Sequence, residues 1–80
     1  MLTDYIRAAM HRATYKVYEE DGTFWGEIAD FPGVWANDGT LEACRDELEE
    51  VLDGWLILGL RRNSQLPVLD GIDLNVKEAV

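Results

Sequence analysis

The sequence has one cysteine, one histidine and two prolines in 80 residues. Cys44 alone closes no internal disulfide, and with His11 the single histidine, the side chains that hold zinc are nearly missing. Basic residues are scarce too: seven Lys and Arg stand against sixteen Asp and Glu, for a net charge of −9. Binding a phosphate backbone takes clustered cations, so direct nucleic-acid binding is disfavoured. The acidic balance suits a basic partner, or solubility. Long apolar runs are also absent. The longest, WLILGL at residues 55–60, falls far short of the roughly 20 residues that cross a bilayer. The opening MLTDYIRAAMHR has neither the basic start nor the long apolar core of a secretory leader, so a cytoplasmic location is expected. No repeat and no Ser/Gly-rich linker divides the chain, which reads as one domain over residues 1–80. A domain this small buries only about 60% of its unfolded surface, and oligomerisation is a natural supplement.

What is present is strongly patterned. Thr3 is a candidate cap, and Leu2, Ile6, Ala9 and Ala13 recur at helical spacing, so a helix is expected over about residues 3–12. ATYKVYEEDGTFWGEIA reads as a β-hairpin. A two-residue turn at Asp21-Gly22 pairs Tyr18 with Trp25 and Lys16 with Glu27. One face then carries Tyr15, Val17, Phe24 and Ile28, and the other Lys16, Tyr18, Trp25 and Glu27. Pro32-Gly33 turns the chain, VWAND supplies a third short strand, and the sheet region spans 13–38. Thr40 caps a long helix over about 40–62. Its apolar stripe runs Leu41, Cys44, Leu48, Val51, Trp55 and Leu58, widened by Leu52 and Leu56. Asn63 is a left-handed stop, Pro67 follows, and IDLNV within the tail, 63–80, can form a last short strand. The expectation is an α+β domain of order α-β-β-β-α-β: a two-layer fold whose small, mainly antiparallel sheet carries one long helix on one face.

Candidate chemistry is thin. IADFPGVWANDGTLEA, residues 28–43, superficially resembles a phosphate loop, yet Asp38 and Glu42 flank the helix start and no cation is near. Gly33 and Gly39 therefore read as turns. Asp30, Asp38 and Asp46 are the carboxylates that acid–base or metal chemistry would draw on. Sixteen acids in 80 residues make chance proximity ordinary. His11 reads as an exposed helix-end residue and Cys44 as a buried structural thiol. No catalytic group, metal or cofactor is expected. The aromatics stand apart. Tyr18 and Trp25 share the face opposite Phe24, and strand alternation adds Trp35. Side chains of about 150–250 Å² each make a patch large for a lone monomer. A homo-oligomer or partner contact through Tyr18, Trp25 and Trp35 is expected, the alternative being that the first helix covers them.

These residues together resemble the HicB-like antitoxins of bacterial type II toxin–antitoxin pairs. The resemblance rests on Tyr15 to Val17, Gly22, Phe24 to Ile28, Asp30, Pro32, Gly33, Gly39, Thr40, Leu41, Glu42, Ala43, Trp55 and Pro67, and spans residues 13–67. It implies a partial ribonuclease H-like unit without nuclease function, assembled as a dimer or tetramer. It also implies a partner: a small basic mRNA-cleaving toxin whose active surface it covers. Pro32, Gly33, Gly39, Thr40 and Trp55 are then structural positions of the family pattern. The thirteen residues after Pro67 are too few for a DNA-binding helix-turn-helix, so operator binding by this chain is not expected. The alternative function is a solitary oligomeric binding module. A metal-dependent nuclease has only fold analogy behind it.

Overall fold

The computed structural model describes residues 2–75. Five elements follow one another: α1 (Leu2–His11), β1 (Ala13–Tyr18), β2 (Thr23–Ile28), β3 (Trp35–Asp38) and α2 (Leu41–Arg61). The strands form one antiparallel sheet of order β1-β2-β3. This is the expected α+β arrangement. The tail adds one bridge, Leu69 with Ile72, where a last strand was anticipated, and Val76 of that segment lies outside the described residues.

Local chemistry sets the ends of α2. Thr40 is extended, and its hydroxyl accepts from the Ala43 amide at 3.0 Å, satisfying a donor that the first turn leaves open. At the other end Asn63 is left-handed, with φ 54°. The Asn63 amide donates to the Leu60 carbonyl and the Ser64 amide to the Gly59 carbonyl, the double closure typical of such a stop. Along the helix the buried side recurs every fourth residue: Cys44, Leu48, Leu52 and Leu56, then Gly59. The expected stripe is therefore rotated. Val51 and Trp55 are only half-buried, and Leu41 and Leu58 at its ends are exposed. Trp55 still meets the core edge-on through Phe31, with ring centroids 5.1 Å apart.

In α1 the stripe also turns. Leu2 is exposed, whereas Tyr5, Ala8, Ala9 and Met10 are buried. Tyr5 explains the rotation. Its ring packs edge-on against Phe31, and its hydroxyl donates to the Pro67 carbonyl at 2.6 Å. The tail thus returns beneath α1, where Leu66 and Leu69 join the core. Arg12 clamps the same region from outside, reaching Asp30 at 3.4 Å and Asp70 at 3.0 Å. Asn75 uses both ends of its amide on the Leu66 backbone.

The hairpin register is shifted from the expected one. Tyr18 pairs with Thr23, Val17 with Phe24 and Lys16 with Trp25, so residues 19–22 form the loop. A two-residue turn of the expected kind needs positive φ at both centres. Among the described non-glycine residues only Asn63 and Asp70 have it, so Asp21 does not, while Gly22 does at 71°. The Gly22 amide instead donates to the Tyr18 carbonyl at 2.8 Å across a wider loop. Lys16 consequently does not face Glu27. The slip is two residues, so every side chain keeps its expected face.

A candidate protein-contact face

The inner face of the sheet is shaped to receive α2. Gly26 and Ala36 sit opposite each other on β2 and β3, and both are buried. A Cβ on Gly26 would lie 2.9 Å from the Tyr15 ring and 3.2 Å from Cys44 Sγ. The absent side chain is what lets Tyr15 cross β2 and Cys44 approach it. The thiol donates to the Ala36 carbonyl at 3.6 Å. Burial, then the charges of Glu47 and Asp38, pushes its pKa up, so it is kept from being a nucleophilic thiolate.

The outer face is built the opposite way. Trp25 and Trp35 stack with centroids 4.5 Å apart and planes 8° from parallel. Tyr18 meets Trp25 edge-on at 6.2 Å and 82°. The three expected contact residues thus form one row across all three strands. Tyr18 is 45% exposed and Trp35 49%. Helix α1, the alternative cover, packs along α2 instead, so no helix of the described residues lies over the row. Acidic groups border it: Glu27 faces Trp35 across the β2–β3 ladder, and the loop carries Glu19, Glu20 and Asp21 beyond Tyr18.

A polar relay fixes this face. The Asn37 amide donates to Thr23 Oγ1 at 3.0 Å and to the Phe24 carbonyl at 2.9 Å. Thr23 in turn donates its hydroxyl and its amide to Asp21 Oδ1, at 2.7 and 3.0 Å. The hydroxyl bond above all holds the Asp21 pKa below the usual value. The relay ties β3 to the hairpin loop. The sequence carried one trace of it, Asn37 placed two residues after Trp35 on the same side of β3.

The carboxylates weighed as reactive groups do not gather. Asp30 pairs with Arg12 and Asp38 accepts from the Gly39 amide at 2.7 Å, while Asp46 is exposed on α2. Glu47 lies beside Asp38; desolvation, then that neighbour, raises its pKa. No group of three or more His, Cys, Asp or Glu among the described residues is placed to hold a metal. A shallow cleft of about 290 Å³ runs between α1 and α2, where Arg7 and Arg45 face the same space as Glu49 and Asp53. It contains none of the contact or reactive residues weighed from the sequence. No helix of the described residues is long and apolar enough to cross a membrane.

Comparison with known proteins agrees with this architecture. The crystal structure of TTHA0281 from Thermus thermophilus superposes with a TM-score of 0.84. It is 36% identical, over 96% of this chain and 95% of that one. No curated protein matches. The UPF0150-like family model matches residues 4–67, which run from α1 through the sheet and α2 to the proline that receives the Tyr5 hydroxyl. The chain belongs to the UPF0150-like family.

Proposed function

We propose that this protein is a non-catalytic, antitoxin-like binding module that acts by docking a small basic protein on the outer face of its sheet. The observation that carries the reading is the aromatic row Tyr18–Trp25–Trp35, which no helix of the described residues covers and which carboxylates border. Large rings in an acidic frame match the needs of a cationic surface: apolar area for the aliphatic stems of Lys and Arg, ring faces for their charges, and a complementary field to steer encounter. Net charge −9 extends that field over the whole chain. Family membership and the HicB-like pattern support a toxin as the partner, and a cytoplasmic setting goes with that role. Neutralisation would consist of covering the toxin's cationic surface rather than of any bond-breaking step.

The test is co-expression with the product of a neighbouring gene that encodes a small basic protein, where there is one, followed by affinity capture. A stoichiometric complex that suppresses the partner's RNA cleavage, and that is lost when Trp25 and Trp35 both become Ser, is the expected result. Failure of the two folded proteins to associate at roughly micromolar concentration would overturn the reading. It would leave a solitary oligomeric module as the alternative.

A further inference from the structure

The two strand registers lay the outer face out as a grid. Lys16, Trp25 and Asn37 stand side by side across the three strands, and Thr14, Glu27 and Trp35 form the neighbouring row. Glu27 is the one charged residue of the central strand β2. It is half-buried, between exposed Thr14 on β1 and exposed Trp35 on β3. Directly paired residues hold their Cβ atoms about 4.5–5.5 Å apart, so the Glu27 carboxylate and the Trp35 indole border the same patch of surface. Among the described residues no salt bridge and no side-chain hydrogen bond engages Glu27. Lys16, the nearest cation in the grid, lies one row away beside Trp25, and Arg12 is held by Asp30 and Asp70.

The rings decide what shape of cation fits. Trp25 and Trp35 are in contact and nearly parallel, 4.5 Å apart at 8°. No group enters between them, so they form a flat platform rather than a cage. Tyr18 also meets Trp25. Trp35 has no second ring partner among the described residues and is 49% exposed, which leaves one indole face to solvent. A flat ring face matches a planar guanidinium, which stacks on it and is weakly hydrated. The lysine ammonium is a compact, strongly hydrated point charge with no plane to stack. A guanidinium lying on Trp35 also keeps an edge of N–H donors free, and a carboxylate beside the ring accepts two of them at once.

We propose that Trp35 and Glu27 form an arginine-selective subsite: a guanidinium of a partner protein stacks on the open face of Trp35 and turns its fork to the Glu27 carboxylate, with Trp25 backing the ring. The inference rests on the docking reading above and narrows it, from a cationic surface to one anchoring arginine. Glu27 determines the specificity, because a ring face alone accepts either kind of cation while the two-pronged bond accepts only the fork. The surroundings agree with this division of roles. Thr14 is short and leaves the β1 side of Glu27 open. Asn37, through its bonds to Thr23 Oγ1 and the Phe24 carbonyl, ties β3 to β2 and so holds Trp35 in place beside Glu27. The platform is pre-formed, so little ordering of the rings is needed when the arginine arrives.

Titration of the full chain with N-acetyl-arginine amide, N-acetyl-lysine amide and N-acetyl-citrulline amide, followed by the indole N–H signals in NMR, tests it. The arginine compound should shift the Trp35 signal with dissociation in about the 1–10 mM range. The lysine compound should bind about fivefold or more weakly. The citrulline compound, which keeps the plane and loses the charge, should not bind below about 100 mM. Glu27→Gln should weaken arginine binding about fivefold or more and bring it level with lysine, at unchanged far-ultraviolet dichroism. No arginine response below about 100 mM, an equal response to lysine, or indifference to Glu27→Gln would each overturn the proposal. Should Glu27→Gln fail to fold, the three compounds on the unaltered chain decide. The subsite and the docking reading fail separately. A complex with a small basic protein, formed by a chain that gives no arginine response, sinks the subsite alone. An arginine response from a chain that captures no such protein sinks the docking reading and leaves the subsite standing.

Discussion

On the inner face of the sheet Ile28 and Ala36 are 2% and 0% exposed, whereas on the outer face Tyr18 and Trp35 keep about half their surface in solvent. Both faces are rich in apolar side chains, so hydrophobicity does not decide which one the chain covers. Size does. The inner face has a hollow at Gly26 and Ala36, into which Tyr15 and Cys44 fit. The outer face has a ridge of three rings, against which a helix would stand off and leave voids. The rings meet one another instead. A face with a hollow closes on its own helix, and a face with a ridge does not.

Breaking the covered face should cost most. Leu48 is fully buried on the inner side of α2, and Leu48→Ala should destabilise by about 2–5 kcal/mol. Thermal unfolding followed by dichroism measures this. Filling the hollow comes next: Gly26→Val drives a branched side chain into Tyr15 and Cys44, for a loss of about 1–3 kcal/mol. The same melts should show it, with Cys44 reacting faster with a thiol reagent as α2 is displaced. On the uncovered face, Trp25→Ser with Trp35→Ser forfeits mainly a ring pair worth about 0.5–1.5 kcal/mol. The expected melting shift is the smallest of the three, and loss of partner binding is the main effect.

A pH series sharpens the comparison further, because the two sides respond with opposite sign. Asp21, in the relay of the outer face, has a depressed pKa. Its contribution is complete above the ordinary value of 3.8 and is lost as pH falls through the lower folded value. Glu47, beside Asp38, has a raised one. The folded state holds that proton more tightly, so this contribution is greatest below 4.5 and is lost as pH rises through the folded value. Side-chain carbonyl NMR should show Glu47 moving back toward its ordinary value in Asp38→Asn. Asp21 should stay where it is.

Much of this was legible beforehand, for identifiable reasons. Thr40 and Asn63 mark the ends of α2 because caps are local chemistry. The aromatic row was legible from alternation alone, since a face survives a slip of two residues and only its pairing changes. The register itself was not legible: it depends on whether Asp21 turns left-handed, and the bonds from Thr23 hold it otherwise. The buried stripe of α2 was misjudged for a different reason. Leu41 and Leu58 satisfy the periodicity yet are exposed, because which part of a long helix meets the sheet depends on the packing of other elements. The relay through Asn37 and the burial of Tyr5 share that cause: each depends on contacts between segments distant in sequence.

The bond from the Tyr5 hydroxyl to the Pro67 carbonyl joins residues 62 apart in the chain. The hairpin and the β2–β3 pair, by contrast, close over short loops. Search time in folding is dominated by distant contacts, so the sheet and α2 should assemble first and the junction of α1 with the tail last. A contact made after the rate-limiting step has little influence on how fast the chain folds and much on how fast it comes apart. The Tyr5 hydroxyl therefore serves as a latch: Tyr5→Phe should leave the refolding rate of a stopped-flow experiment nearly unchanged and speed unfolding several-fold, for a bond worth about 1 kcal/mol.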